Sequence, residues 1–104
     1  MGKLDAVDAQ PNGGIMENIR SEVLHTAIEL CNGEREEDYG SPAESMGVVA
    51  HMWSAYVGYE ITARDVCNMM ALLKIARLRN GTHEDSAADA AAYVAMGEEV
   101  GYAW

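Results

Sequence analysis

The sequence predicts an all-α fold, a bundle of four main helices with short connections. Three observations carry this expectation. Apolar residues recur at helical spacing in separate stretches of the chain. Three of the stretches open on a Ser/Thr-x-x-acid pattern that caps helix starts. No stretch reads as a strand.

Residues 1–14 carry Pro11 and Asn12-Gly13-Gly14, show no periodicity and read as a flexible tail. Residues 15–104 then form one helical domain. Its first helix is expected from about Met16 to Cys31, with Met16, Ile19, Val23, Ala27 and Leu30 at helical spacing and Asn32-Gly33 as its stop. Glu34 to Gly40 is a charged loop. The second helix opens on Ser41-Pro42-Ala43-Glu44, a capping box with Pro at the first helical position. It places Met46, Val49, Met52, Trp53, Tyr56 and Val57 on one side and ends near Gly58. The third opens on Thr62-Ala63-Arg64-Asp65, runs to about Arg79 and stops at Asn80-Gly81. The fourth opens on Thr82-His83-Glu84-Asp85 and continues to about Val100. Its six alanines, Ala87, Ala88, Ala90, Ala91, Ala92 and Ala95, suit close helix packing, either within one chain or across a dimer seam.

The chain has 104 residues, the length of one small domain. A core of this size gains from oligomerisation, and a dimer is expected, with the Ala-rich last helix and the aromatic end Tyr102–Trp104 as its motive. The net charge of -10 disfavours nucleic-acid backbones, which are bound through Lys and Arg. No stretch is apolar enough to span a membrane, and the N-terminus has no apolar region of the signal-peptide kind, so a cytoplasmic protein is expected. Cys31 and Cys67 lie inside apolar helical patterns without zinc-ligand spacing and read as buried free thiols. His25, His51 and His83 have no metal-ligand spacing either.

The chemistry-bearing residues gather in the second half. On a wheel of about 100° per residue, Val66, Met69, Met70, Leu73 and Ala76 share one arc of the third helix. Arg77 falls inside that arc and Lys74 at its margin. A buried Arg must be paired, and its planar fork fits carboxylates and phosphates. Asp85 and Asp89 lie one turn apart on the next helix, which the short turn folds back alongside the third. Two outcomes stay open: an ion-pair network that fixes helix register, or a polar site for a nucleotide phosphate or a metal. On the first helix Glu22 and Glu29 lie two turns apart, a solvated face or a second acidic set able to help Asp85 and Asp89 hold Mg²⁺. The run Glu34, Glu36, Glu37 and Asp38 ends in Tyr39-Gly40, a soluble loop or one that closes over a ligand with Tyr39 stacking on a base.

Arg35 with Tyr39-Gly40-Ser41-Pro42, Trp53-Ser54, Leu73-Lys74-Ile75-Ala76-Arg77-Leu78, Glu84-Asp85-Ser86, Asp89 and Tyr93 together resemble a family of small phage and prophage proteins of unknown function. More distantly the layout is similar to the MazG-like all-α nucleotide pyrophosphatases. That resemblance implies a helical bundle, dimeric in form, with a nucleotide site between helices. Its ligand-binding residues would be Lys74, Arg77, Tyr39, Arg35, Trp53, Asp85 and Asp89. The acids here depart from the enzymes' spacing: Glu22 and Glu29 are seven apart, Asp85 and Asp89 four. The reading is therefore a protein that binds or sequesters a nucleotide-type ligand. Its alternatives are a Mg²⁺-dependent nucleoside triphosphate pyrophosphatase using Glu22, Glu29, Asp85 and Asp89, and a structural or regulatory bundle with no ligand.

Overall fold

The computed structural model describes residues 11–33, 41–80 and 85–102, and it is helical throughout, with no strand among them. The helices are α1 (Pro11–Asn32), α2 (Pro42–Val57), α3 (Ala63–Arg77) and α4 (Ser86–Tyr102), with a short 3₁₀ turn at Leu78–Asn80 extending α3. Four helices in this order match the sequence expectation. Residues 1–10 of the expected tail and the expected fourth cap residues Thr82 to Glu84 lie outside the described residues.

The helix starts follow from local chemistry. Ser41 accepts a hydrogen bond from the Glu44 amide while the Glu44 carboxylate accepts from the Ser41 amide, and Pro42 opens the first turn. Thr62 and Asp65 make the same reciprocal pair at α3, with both bonds at 3.0 Å. The Asp85 carbonyl accepts from the Asp89 amide at 2.8 Å and so begins α4. The first helix starts earlier than expected, at Pro11 rather than near Met16. Pro is well placed in a first turn, where its missing N–H has no intrahelical partner to lose.

The turn from α2 to α3 is fixed by two devices. Gly58 takes the left-handed conformation at φ 75° and its amide bonds back to the Ser54 carbonyl. The Ser54 hydroxyl then accepts from the Ile61 amide at 2.7 Å and donates to the Ile61 carbonyl at 3.1 Å. One side chain thereby satisfies both backbone groups of the incoming segment.

The core is divided by α4. One face of α4, with Ala90, Tyr93, Met96 and Val100, packs on Ala63, Cys67 and Ala71 of α3, and Ala43, Met46 and Met70 close the rim. Another face, with Ala88 and Ala92, packs on Ala27 of α1, flanked by Val23, Leu30 and Cys31. The α3–α4 contact is the most extensive, and α1 packs chiefly on α4. Ala90 on one side and Ala88, Ala91 and Ala92 on the other thus serve packing within one chain, while Ala95 is exposed. The helices do not close around one shared core. The radius of gyration is 16.5 Å, against about 13 Å for a compact domain of this size.

Side-chain size decides which face of each helix turns inward. The inward face of α3 is Ala63, Val66, Cys67 and Ala71, with Met70 and Lys74 beside it; Val66 and Met70 of the expected arc lie there, whereas Met69, Leu73 and Ala76 are exposed. On α2, Met46, Val49 and Trp53 are half-buried as expected, but Met52, Tyr56 and Val57 are exposed and Ala50 is the buried residue. Small residues on α3 allow it to approach the Ala-rich α4 closely, and dense packing there outweighs burial of the larger side chains.

At Gly97 the two helices lie close together. A Cβ there would lie 3.3 Å from the Cys67 Cβ, an atom fixed to the facing helix. At Gly101 a Cβ would instead meet the Arg64 guanidinium, the mobile end of an exposed side chain. Gly97→Leu is therefore expected to destabilise the fold by about 1–3 kcal/mol through overpacking. Gly101→Ala is expected to change stability by less than about 1 kcal/mol, because Arg64 moves aside and Ala favours the helix. Chemical denaturation of the two variants checks this contrast.

Candidate functional site

The strongest polar feature in the interior is an ion pair between α3 and α4. Lys74 Nζ lies 3.1 Å from Asp89 Oδ2, with the two side chains 21% and 22% exposed. Both sit at the end of the hairpin where α3 finishes and α4 begins. Lys74 continues the inward stripe of Ala63, Cys67, Met70 and Ala71, so its stem packs with the core while its charge reaches the carboxylate. A second pair, Arg64 with Glu98, ties the other end of the same two helices and is about half exposed. The two pairs bracket the seam and fix which turn of α3 faces which turn of α4.

The expected site residues are only partly gathered. Lys74 and Asp89 meet. Asp85 is exposed at the start of α4, and Arg77 is exposed in the last turn of α3 rather than set inside its apolar arc. The two cations have exchanged the roles expected of them, because α3 turns a different face toward α4. Trp53 is half-buried on α2. Glu22 and Glu29 are exposed on α1. Arg35, Tyr39 and the acids of the charged run lie outside the described residues. Among the described residues no three His, Cys, Asp or Glu side chains come together as a group able to hold a metal ion. No described buried side-chain nitrogen or oxygen lacks a hydrogen-bond partner.

Both described cysteines are free thiols. Burial, reinforced by the negative charge of Glu99, raises the pKa of Cys67 and of Cys31 above the usual thiol value. The Cys31 thiol lies 4.0 Å from the Ala92 carbonyl, to which it donates across the α1–α4 contact. Neither is a poised nucleophile, since the thiolate is the reactive form and burial disfavours it. These are packing residues, as their place in apolar patterns implied.

A feature that the helical patterns did not reveal lies outside the core. Among residues 18–33, 41–80 and 85–101 no Leu or Ile is fully buried, and only Leu30 and Ile61 are half-buried. Leu24 and Ile28 are exposed on α1, Val48, Met52 and Tyr56 on α2, and Met69, Leu72, Leu73 and Ile75 on α3. Residues 48, 52 and 56 form a stripe four residues apart, and Tyr56 is 92% exposed. A signal for it existed: α2 and α3 carry more large apolar residues than one packed face can hold.

Comparison with known proteins places this geometry. A family model described as a domain of unknown function, DUF6378, matches residues 22–101. The chain belongs to this family. The Gene 55 protein of Mycobacterium phage L5 is 45% identical over 80 residues, which cover 75% of this chain and 51% of that protein. The Gene 55 protein of Mycobacterium phage D29 is 40% identical over 79 residues, 75% of this chain and 52% of that protein. The chain thus spans about half the length of the curated relatives it matches. No solved structure matches it. The resemblance to small phage proteins of unknown function holds, and nothing in these matches extends it to the MazG-like enzymes. No helix among the described residues is long and apolar enough to cross a membrane.

Two expectations follow from the site. Lys74→Ala strands the Asp89 carboxylate in a partly buried place. It should cost about 1–3 kcal/mol, between an exposed pair and a fully buried one. Joint replacement by Lys74→Met and Asp89→Leu should recover most of that loss, and Arg64→Ala should cost no more than about 1 kcal/mol. Urea titrations of the variants measure all three. For Cys67, a thiol reagent should label the native protein only at the rate of unfolding. The raised thiol pKa means that the unfolded chain loses its proton first as pH rises. Stability is then fully present below the ordinary thiol range and declines above about pH 8.5. Denaturation midpoints at neutral and alkaline pH, compared with Cys67→Ala, check the sign.

Proposed function

We propose that this phage-type helical protein acts by binding other proteins through the apolar outer faces of its helices, without catalysis. The observation that supports the reading is the inversion of side-chain sizes. Ala, Val, Cys and Met with Tyr93 fill the core, while Leu30 only flanks it and Leu24, Ile28, Leu72, Leu73 and Ile75 are exposed. Contiguous exposed apolar surface beyond a few hundred Å² marks interaction sites in soluble proteins. Tyr56 and Tyr59 are both largely exposed, and aromatic side chains bury about 150–250 Å² each in a contact. The α2 stripe of Val48, Met52 and Tyr56 fits a protein partner: Tyr is enriched among residues that dominate binding energy, and Met adapts to irregular surfaces. The interior ion pairs then serve register.

A nucleotide-type ligand remains a second reading. It is favoured by the position of Lys74, Arg77 and Arg79 at one end of α3 and by the distant similarity of layout to nucleotide pyrophosphatases. It requires Lys74 to leave Asp89, or a ligand to join the pair. The acids needed for Mg²⁺-dependent hydrolysis would have to be brought together from α1 and α4.

One pair of measurements separates the readings. Tagged protein recovered from phage-infected cells is expected to retain a stoichiometric partner. Joint replacement by Val48→Lys, Met52→Lys and Tyr56→Lys should release it while leaving helicity unchanged, because these side chains do not pack in the core. A nucleotide panel with and without Mg²⁺ should leave the melting temperature unmoved. A rise in melting temperature that Lys74→Ala removes would establish the nucleotide reading instead. Pyrophosphate release would establish the hydrolase.

A further inference from the structure

We propose that the outer face of α3 is a self-association seam, pairing with α3 of a second copy in antiparallel register about Leu72 and Leu73. This extends the reading of the apolar helix faces as contact surfaces to a second face, distinct from the α2 stripe. The face is formed by Met69, Leu72, Leu73 and Ala76, at the i, i+3, i+4, i+7 spacing of a continuous helical stripe. All four are exposed, opposite the side that carries Ala63, Cys67 and Ala71 into the α4 contact. The helix is therefore apolar on two sides, and only one is covered within the chain.

Three observations favour a second copy as the occupant. The first is composition. This face is aliphatic, like the interior of a domain and like obligate homodimer interfaces, which resemble a core cut in half. Aliphatic surface of this kind has to be covered as the chain folds, and a second copy is the partner always present at synthesis.

The second is charge. The chain as a whole carries -10, so copies repel at most surfaces. On α3 the local balance differs. Arg64 and Lys74 are spent on Glu98 and Asp89. The stripe itself starts beside Asp65 and runs out toward Arg79 in the 3₁₀ turn. In an antiparallel pair centred between Leu72 and Leu73, Met69 lies beside Ala76 of the second copy. Asp65 then lies near Arg79 of the second copy, and by two-fold symmetry the reverse contact forms as well. Opposite charges close both ends of an apolar centre, and a parallel register would set like charges together.

The third is area. The exposed parts of Met69, Leu72 and Leu73 amount to a patch on the order of 300 Å², against about 800 Å² per partner in a standard interface. One helix thus supplies more than a third of such an interface.

The test is the mass of the purified full chain at micromolar concentration, by sedimentation equilibrium. A dimer is expected. Leu73→Glu should give a helical monomer, and the mild variant Arg79→Asp, which touches no core residue, should weaken the dimer by about tenfold by opposing Asp65 with a like charge. Leu72→Cys should be captured as a covalent dimer by a short bis-maleimide, whereas Val48→Cys should not. Wild-type protein that stays monomeric would overturn the proposal. So would a dimer indifferent to Arg79→Asp, one that crosslinks through Val48→Cys in preference to Leu72→Cys, or one dissolved by the α2 lysine substitutions. A dimer that survives those α2 substitutions supports this seam whether or not they release a partner, so failure of the α2 reading and failure of this one remain distinct.

Discussion

The contact between α3 and α4 is governed by side-chain size. Ala63, Cys67 and Ala71 on one helix face Ala90, Tyr93, Met96 and Val100 on the other, with Gly97 close against Cys67. Small residues on α3 make room for the larger Tyr93 and Met96 of α4, and each atom gains dispersion from many neighbours. The remainder of the architecture follows. Because α4 is lined with alanine on more than one side, α1 can pack on it through Ala27, Ala88 and Ala92 while α3 occupies another face. Because α3 spends its small residues inward, its large ones turn outward. The ion pairs Arg64–Glu98 and Lys74–Asp89 then hold the seam in one register at its two ends.

Much of this was legible in the sequence, and the reasons differ by feature. Capping is a local interaction, so Ser41 with Glu44 and Thr62 with Asp65 identified two helix starts without knowledge of the fold. That Lys74 or Arg77 would meet Asp85 or Asp89 followed from one short turn between two helices, again a nearly local matter, and Lys74 with Asp89 is one of those pairings. What hydrophobic periodicity could not supply was the choice between two apolar faces of one helix. Met69 and Leu73 rank above Ala63 and Ala71 on size, and the expected arc followed them. The structure follows complementarity to α4 instead. That single rotation also moved Arg77 outward and Lys74 inward. Glu22 and Glu29 lie on α1, which packs chiefly on α4 and keeps both exposed, so periodicity alone could not say where they would meet other acids. The hydroxyl of Ser54, which fastens the α2–α3 turn through Ile61, carried no sequence signal beyond its place just before Gly58.

The same constraint shapes the functional reading. A catalytic pocket needs polar groups that converge and are held in place. Here the polar groups of the seam already satisfy one another, and the unspent resource of the molecule is apolar surface. In the reading proposed above, that surface makes contacts with other chains. The family to which the chain belongs matches residues 22–101, which include half of α1, the whole of α2 and α3 and all of α4 but its last residue, so the inward and outward faces described here lie within the shared domain.

The α3–α4 seam holds the fold, and α1 depends on it. Native-state hydrogen exchange measures this directly, since amides exchange at the free energy of the opening that exposes them. Amides at the centres of α3 and α4 are expected to exchange last and together, at the global unfolding free energy, and those of α1 through a cheaper opening. Amides of α1 protected as strongly as those of α4, or α3 amides exchanging well before α4, would contradict it.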